Sequence, residues 1–206
     1  MRLGYVQHSG LLMMGFLAMA LGRCGGAAPS RVPPLGIASD AAQKAMELYD
    51  TNKDGFLDEG ELDKVPGLKA ALKQVDTNGD GRISAAEIDA RIATWKASKI
   101  GRMGISCRVR NNGKPLAGAT VTFVPESFLG GNLRSASGTT DAHGTCALKE
   151  IGGEDLPGMS PGFYRVQITK SGEEIPAKYN TETMIGQEVA RDAAGNDGAI
   201  RLDLSY

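Results

Sequence analysis

The chain has 206 residues, a formal net charge of −1 and 41% hydrophobic residues. That length allows one or two domains with cores of their own, and a near-neutral charge with no basic run longer than two residues argues against a nucleic-acid partner. The 28 glycines favour turns and short strands, and aromatics at 5% are too few for a sugar-stacking platform.

Residues 1–10 form a weakly basic lead carrying Arg2, followed by the apolar run LLMMGFLAMALG at 11–22. That run is too short to span a bilayer and reads as the core of an export signal occupying residues 1–23. Leu21-Gly22-Arg23-Cys24 resembles the lipobox of bacterial lipoproteins, with Arg23 standing where that family has a small residue. The resemblance implies that Cys24 is lipidated and anchors the mature protein to a membrane. Ala18-Met19-Ala20 leaves ordinary signal cleavage open as the alternative. The Gly/Ala/Pro-rich residues that follow make 24–38 a flexible tether. The expected location is extracytoplasmic, in the periplasm or at the cell surface, a compartment that suits a chain with three cysteines.

Ser39 is a candidate N-cap for a helix over 40–49, with Ala42, Met46 and Tyr49 on one face. The stretch DTNKDGFLDEGE follows, from Asp50 to Glu61. Pro66-Gly67 breaks the chain after a brief helix. Leu68, Ala71, Leu72 and Val75 then mark a helix leading into DTNGDGRISAAE, from Asp76 to Glu87. A last helix over 85–99 carries Ile88, Ile92 and Trp95 on one stripe. These stripes predict a shared core for the segment 39–100.

Both twelve-residue stretches follow the EF-hand calcium-loop pattern, with oxygen-bearing side chains at positions 1, 3, 5, 9 and 12 and glycine at position 6. In the first these are Asp50, Asn52, Asp54, Asp58 and Glu61, with Gly55. In the second they are Asp76, Asn78, Asp80, Ser84 and Glu87, with Gly81. The position-7 carbonyls of Phe56 and Arg82 complete each set. Calcium takes roughly six to eight oxygens, which alternate positions of a tight loop supply. A plain acidic turn explains one such stretch, and Ser84 with Glu87 also fits a metal-free capping box. Two complete sets in tandem point to two calcium sites. Leu57 and Ile83, at position 8, are expected to pair the loops through a short β-bridge. The loops begin closer together than in ordinary pairs, and Met46 is the sole methionine in the helices. Both features favour a structural or low-affinity role over a sensor that opens widely.

From about residue 104 short alternating segments between glycine turns predict an antiparallel β-sandwich. Ile105, Cys107 and Val109 alternate inward, and a turn at 111–115 leads to a strand over 119–124. Segments 138–141 and 145–148 flank the tight turn Ala142-His143-Gly144. Strands over 163–169, 183–189 and 199–204 complete the sheet, the last two joined by a turn at Gly195-Asn196.

NNGKPLAGATVTFVP, SGTTDAHGTCAL, PGFYRVQIT and IPAKYN resemble a carboxypeptidase regulatory-like domain, one of the transthyretin or prealbumin-like sandwiches. Cys146 stands where that family has a core aromatic. The resemblance covers about half the chain and implies an accessory fold that stabilises, tethers or presents a neighbour. Cys107 and Cys146 face inward on neighbouring strands, and an exported chain would be expected to join them. Such a disulfide closes a loop worth on the order of 4 kcal/mol in the chain-entropy model; two small buried thiols are the alternative.

His143 is the single histidine beyond the export signal, and no HxxE or HExxH string occurs. The sequence shows no nucleophile elbow beside Ser137, Asp141 and His143, so no enzyme is expected. The expected fold is α+β and multidomain: an EF-hand pair at 39–100 and a sandwich at 104–206. The expected function is calcium binding in an exported, lipid-anchored, non-catalytic protein whose sandwich has a structural or interaction role. The alternatives are a calcium sensor recruiting an envelope partner and an adhesion or polysaccharide-binding module.

Overall fold

The computed structural model describes residues 1, 4, 35–153, 156–193 and 199–206. The expected export signal, the lipidation site Cys24, most of the tether and the turn at Gly195-Asn196 lie outside the described residues. No helix among the described residues is long and apolar enough to cross a membrane.

The first half is helical. Helix α1 (Ala41–Tyr49) buries Ala41, Ala42 and Ala45, with Asp40 rather than Ser39 at its N-cap position. Strand β1 (Phe56–Leu57) and helix α2 (Glu59–Leu62) follow, then α3 (Pro66–Ala70), α4 (Leu72–Val75), β2 (Ile83–Ser84) and α5 (Ala85–Ser98). Pro66-Gly67 does not simply interrupt the chain. Pro66 opens α3 at its first turn, where a missing N–H is no loss. The single helix expected from Leu68 onward is divided at Ala71. Both α2 and α5 begin with reciprocal capping boxes, Asp58 with Glu61 and Ser84 with Glu87. Lys99 ends α5 in the left-handed conformation at φ 54°.

The second half is β-rich and mostly antiparallel. It comprises β3 (Ser106–Asn111), β4 (Lys114–Pro115), β5 (Ala119–Pro125), β6 (Ala136–Thr139), β7 (Thr145–Ala147), β8 (Lys149–Glu150), β9 (Gly162–Lys170), β10 (Gly186–Val189) and β11 (Ala199–Leu204). One sheet has the order β10-β9-β5-β6-β8. In the other, β3 lies between β11 and the pair β4 and β7. The β3–β4 turn uses Asn112 and Gly113 with φ of 50° and 76°, the conformation an Asn-Gly hairpin needs.

The strands on either side of two turns do not pair with each other. Strands β6 and β7, which flank the Ala142-His143-Gly144 turn, do not form a hairpin. Strand β6 pairs with β5 and β8, whereas β7 pairs with β3 in the other sheet. The turn therefore carries the chain between sheets. The last strand, β11, does not close onto β10 but lies parallel to β3, with Ala199 opposite Ser106. Both sheets bury their inner faces in one cluster that includes Cys107, Val109, Val121, Phe123, Tyr164, Val166, Ile200 and Leu202.

The helical stripes do not form a core of their own. Leu68, Val75, Ile88, Ile92 and Trp95 share one cluster with Phe128, Leu129, Leu133 and Phe163 from the β-rich half. The Trp95 ring meets Phe163 edge-on, with centroids 4.6 Å apart. Residues Val32–Tyr206 form one compact unit. Its tightest seam is the approach of α3 to β9 and β10. A Cβ at Gly67 would stand 2.7 Å from the Tyr164 backbone nitrogen, and one at Gly186 would overlap the Pro66 carbonyl. Glu126, 1% exposed, closes this seam. Its carboxylate accepts the Gly67 N–H at 2.8 Å and the Arg165 guanidinium at 2.6 Å.

Cys107 and Cys146 stand directly opposite each other on β3 and β7, as their alternation implies, but both are free and buried. The two cysteines lie 0% and 5% exposed in the apolar core. A hydrogen bond to Cys146, together with burial, pushes the Cys107 thiol up and keeps it protonated.

Candidate metal centre

The two loops fold on one plan. In each, the position-1 carboxylate accepts the N–H of the position-6 glycine: Gly55 to Asp50 Oδ2 at 3.0 Å and Gly81 to Asp76 Oδ2 at 2.9 Å. The position-3 amide oxygens take the position-5 N–H groups, Asp54 to Asn52 at 2.9 Å and Asp80 to Asn78 at 2.8 Å. The position-5 carboxylates accept the next turn, from Phe56 N–H at 3.0 Å and Arg82 N–H at 2.8 Å. Gly55 and Gly81 adopt φ of 87° and 78°, as a sharp turn there demands. The bridge expected between the loops is present, with Leu57 opposite Ile83 and Phe56 opposite Ser84.

The position-12 carboxylates reach back over their loops. Glu61 Oε1 accepts the Thr51 N–H at 2.6 Å and the Thr51 hydroxyl at 2.9 Å, and Glu61 Oε2 accepts the Asp58 N–H at 3.1 Å. Glu87 repeats this with the Thr77 N–H at 3.0 Å and the Ser84 N–H at 2.9 Å. Burial works against ionisation of both. The amide donors of Asp58 and Thr51, and the amide and hydroxyl donors of Ser84 and Thr77, outweigh it and hold both carboxyls below the usual glutamate value. These carboxylates are therefore charged and fixed in place at neutral pH.

The loops fit a hard cation. Asp50 Oδ1 is buried and has no hydrogen-bond partner, an arrangement that penalises a carboxylate unless a cation meets it. The donor set is all oxygen, as calcium requires. Asp50, Asn52, Asp54, Asp58 and Glu61 in one loop, and Asp76, Asn78, Asp80, Ser84 and Glu87 in the other, with the carbonyls of Phe56 and Arg82, could hold one ion each. The carboxylates are not gathered into a cage: among the described residues no three acidic, histidine or cysteine groups converge as a metal cluster. Asn52, Asn78 and the two carbonyls would have to carry a share of the coordination that carboxylates alone do not.

Three features escape a ligand-spacing reading. Thr51 and Thr77 position the terminal glutamates, and the repeated Asp-Thr-Asn at the head of both loops was the visible signal for it. The Arg82 side chain bridges the loops. Its guanidinium lies 4.1 Å over the Phe56 ring and within 3.9 Å and 3.7 Å of Asp54 and Asp80. Finally, Arg91, one turn beyond Glu87, leaves the helical half. It donates to Glu188 Oε1 at 2.6 Å and grips Asp192 through both terminal nitrogens at 2.8 and 2.9 Å.

A family model described as EF hand matches the chain twice, at residues 42–66 and 68–90. No curated protein and no solved structure matches the chain. The chain carries EF-hand motifs, and the match supports calcium binding.

Proposed function

We propose that both loops bind calcium, with the ligand sets given above, and that they act as structural clips setting the rigidity of the seam between the helical and β-rich halves. The observation that carries this reading is the course of α5. Its first turn holds Glu87, a loop ligand, and its second holds Arg91, which is bound to β10 through Glu188 and to Asp192. A bound calcium ion supplies the positive charge that neutralises the loop carboxylates. Glu61 and Glu87 hold the starts of α2 and α5 against the loops, so an ordered loop presents Arg91 and Trp95 to Glu188 from a fixed helix. At free calcium 100 times the dissociation constant the stabilisation is about 2.7 kcal/mol. A sensor's exposed groove is disfavoured, because Ile88, Ile92 and Trp95 are buried against the β-rich half.

In this reading the protein is exported through residues 1–23 and held at a membrane by a lipid on Cys24. Its β-rich half is a prealbumin-type sandwich like the carboxypeptidase regulatory-like domains, with a structural or interaction role at the cell envelope. It is not an enzyme; His143 serves as an exposed turn residue whose backbone N–H is held by Asp141 at 2.8 Å.

Calcium titration of the full-length protein by calorimetry, with magnesium present, tests the reading. Two sites with dissociation constants near about 10⁻⁴–10⁻³ M match structural modules, whereas about 10⁻⁷–10⁻⁵ M would favour the sensor. Amide exchange in α5 should slow when calcium replaces chelator. Equal exchange in both conditions overturns the clip, and absence of binding overturns the whole reading.

A further inference from the structure

The outward face of β3 and β11 carries a charge arrangement that calcium binding does not use. Arg108 and Arg110 on β3 and Arg201 and Asp203 on β11 all point to solvent. The parallel register sets Arg201 beside Arg108 and Asp203 beside Arg110. Adjacent strands lie about 4.8 Å apart and alternate residues about 6.6 Å. The three arginine stems thus stand at the corners of a small triangle. Together with Asp203 they line a cleft of about 190 Å³.

Three other arginines are paired closely with carboxylates: Arg91 with Glu188 and Asp192, Arg102 with Glu150, and Arg165 with Glu126. Among the described residues none of Arg108, Arg110 and Arg201 makes a side-chain hydrogen bond or ion pair. The Asp141 carboxylate feels the charge of Arg108, but it is already held by the Thr145 and His143 amides at 2.9 and 2.8 Å. Like charges set directly opposite across strands destabilise a sheet. Arg108 and Arg201 are such a pair, in a chain whose net charge is −1.

We propose that this face is a binding site for a phosphate monoester group. Three guanidiniums against one carboxylate leave two positive charges in the cleft, matching a phosphomonoester dianion. Its three terminal oxygens offer one acceptor to each planar arginine fork, the geometry in which arginine outperforms lysine. A carboxylate offers two oxygens and one charge, and a sulfate ester three oxygens but one charge. The cleft is smaller than the roughly 300–1,000 Å³ of a drug-sized pocket, so it takes the anionic group and leaves the rest of the ligand outside. The site rests on residues remote in sequence from the calcium loops and stands independently of their role.

The test is titration of the full-length protein, in chelator, with glycerol phosphate, a sulfate monoester and acetate in turn, alongside sedimentation with phosphatidate-containing and plain phosphatidylcholine vesicles. Glycerol phosphate should bind best of the soluble anions, more weakly at higher salt. Arg108→Gln and Arg201→Gln should each lose about tenfold or more, since each removes a charge-assisted contact. Asp203→Asn should tighten binding, a gain that misfolding cannot mimic. Binding to phosphatidate vesicles alone, with the same arginine dependence, assigns the phosphate to a lipid headgroup; binding of the soluble ester assigns it to a dissolved ligand. The proposal is overturned by no phosphate-dependent binding in either arm, by a sulfate ester binding equally well, or by binding that survives both arginine substitutions.

Discussion

Trp95 donates its indole N–H to Glu188 Oε1 at 3.0 Å, the same oxygen that takes the Arg91 Nε at 2.6 Å. A helix of the calcium-binding half thus puts two donors on one buried carboxylate of the β-rich half. Burial raises the Glu188 carboxyl, and the Arg91 and Trp95 donors offset only part of that. Removing Glu188 takes the buried one of two carboxylate partners from a guanidinium that is 7% exposed and leaves it to Asp192, whose side chain is 59% exposed. Glu188→Ala should lower stability in denaturant unfolding by about 3 kcal/mol. Trp95→Phe, which keeps the ring against Phe163 and loses one hydrogen bond, should lower it by about 1 kcal/mol.

The seam at α3 makes a steric prediction. Gly186 faces the Pro66 carbonyl with no space for a methyl group. Gly186→Ala should destabilise by about 2 kcal/mol, the scale of core overpacking, and shift the unfolding midpoint without changing the calcium stoichiometry.

Lys53 occupies position 4 of the first loop at φ 60°, where the second loop has Gly79 at φ 76°. A non-glycine residue held there costs about 1–2 kcal/mol, partly returned by its stiffer unfolded chain. Lys53→Gly also removes a positive charge beside Asp50 and Asp54. Calorimetry should find tighter calcium binding at the first loop, by a few-fold, and no change at the second.

The ion pair of Arg91 with Asp192 sets a pH dependence. Hydrogen bonds from Arg91 hold the Asp192 carboxyl below its ordinary value of 3.8, against a smaller opposing effect of burial. A depressed folded value means that this stabilisation is complete above the ordinary value and is lost as pH falls through the folded one. The Asp192 side chain is 59% exposed, so solvent screening limits the contribution to about 1 kcal/mol or less. Asp192→Asn should flatten the acid limb of a stability-against-pH curve and leave the neutral region lowered by that amount.

The calcium loops were legible because their information is local. Ligand spacing, the glycine at position 6 and the Leu57–Ile83 bridge all follow from residues a few positions apart. The stripe of Ile88, Ile92 and Trp95 announced a buried face, but periodicity cannot say what covers it. The cover includes Phe163 and Phe128, from a segment that alternation alone would assign to another core. Pro66-Gly67 looked like a break because both residues weaken helices, whereas the first turn tolerates proline and the seam requires glycine. The turn around His143 had the composition of a hairpin, yet β6 and β7 join different sheets. Tight-turn chemistry fixes a reversal of direction, not which strand lies alongside.

The parallel pairing of β11 with β3 bears on the order in which the protein can mature. Residues 106–111 leave the ribosome long before residues 199–204, and among the described residues no earlier strand takes that edge of β3. Until β11 arrives, the inner side chains of Cys107 and Val109 lack the cover of Ile200 and Leu202. Long-range pairing of this kind closes slowly, and a waiting strand edge invites association with other chains. During synthesis, β3 is therefore where a holding chaperone would have most to shield, and the two thiols are most open to oxidation in that interval rather than in the finished fold.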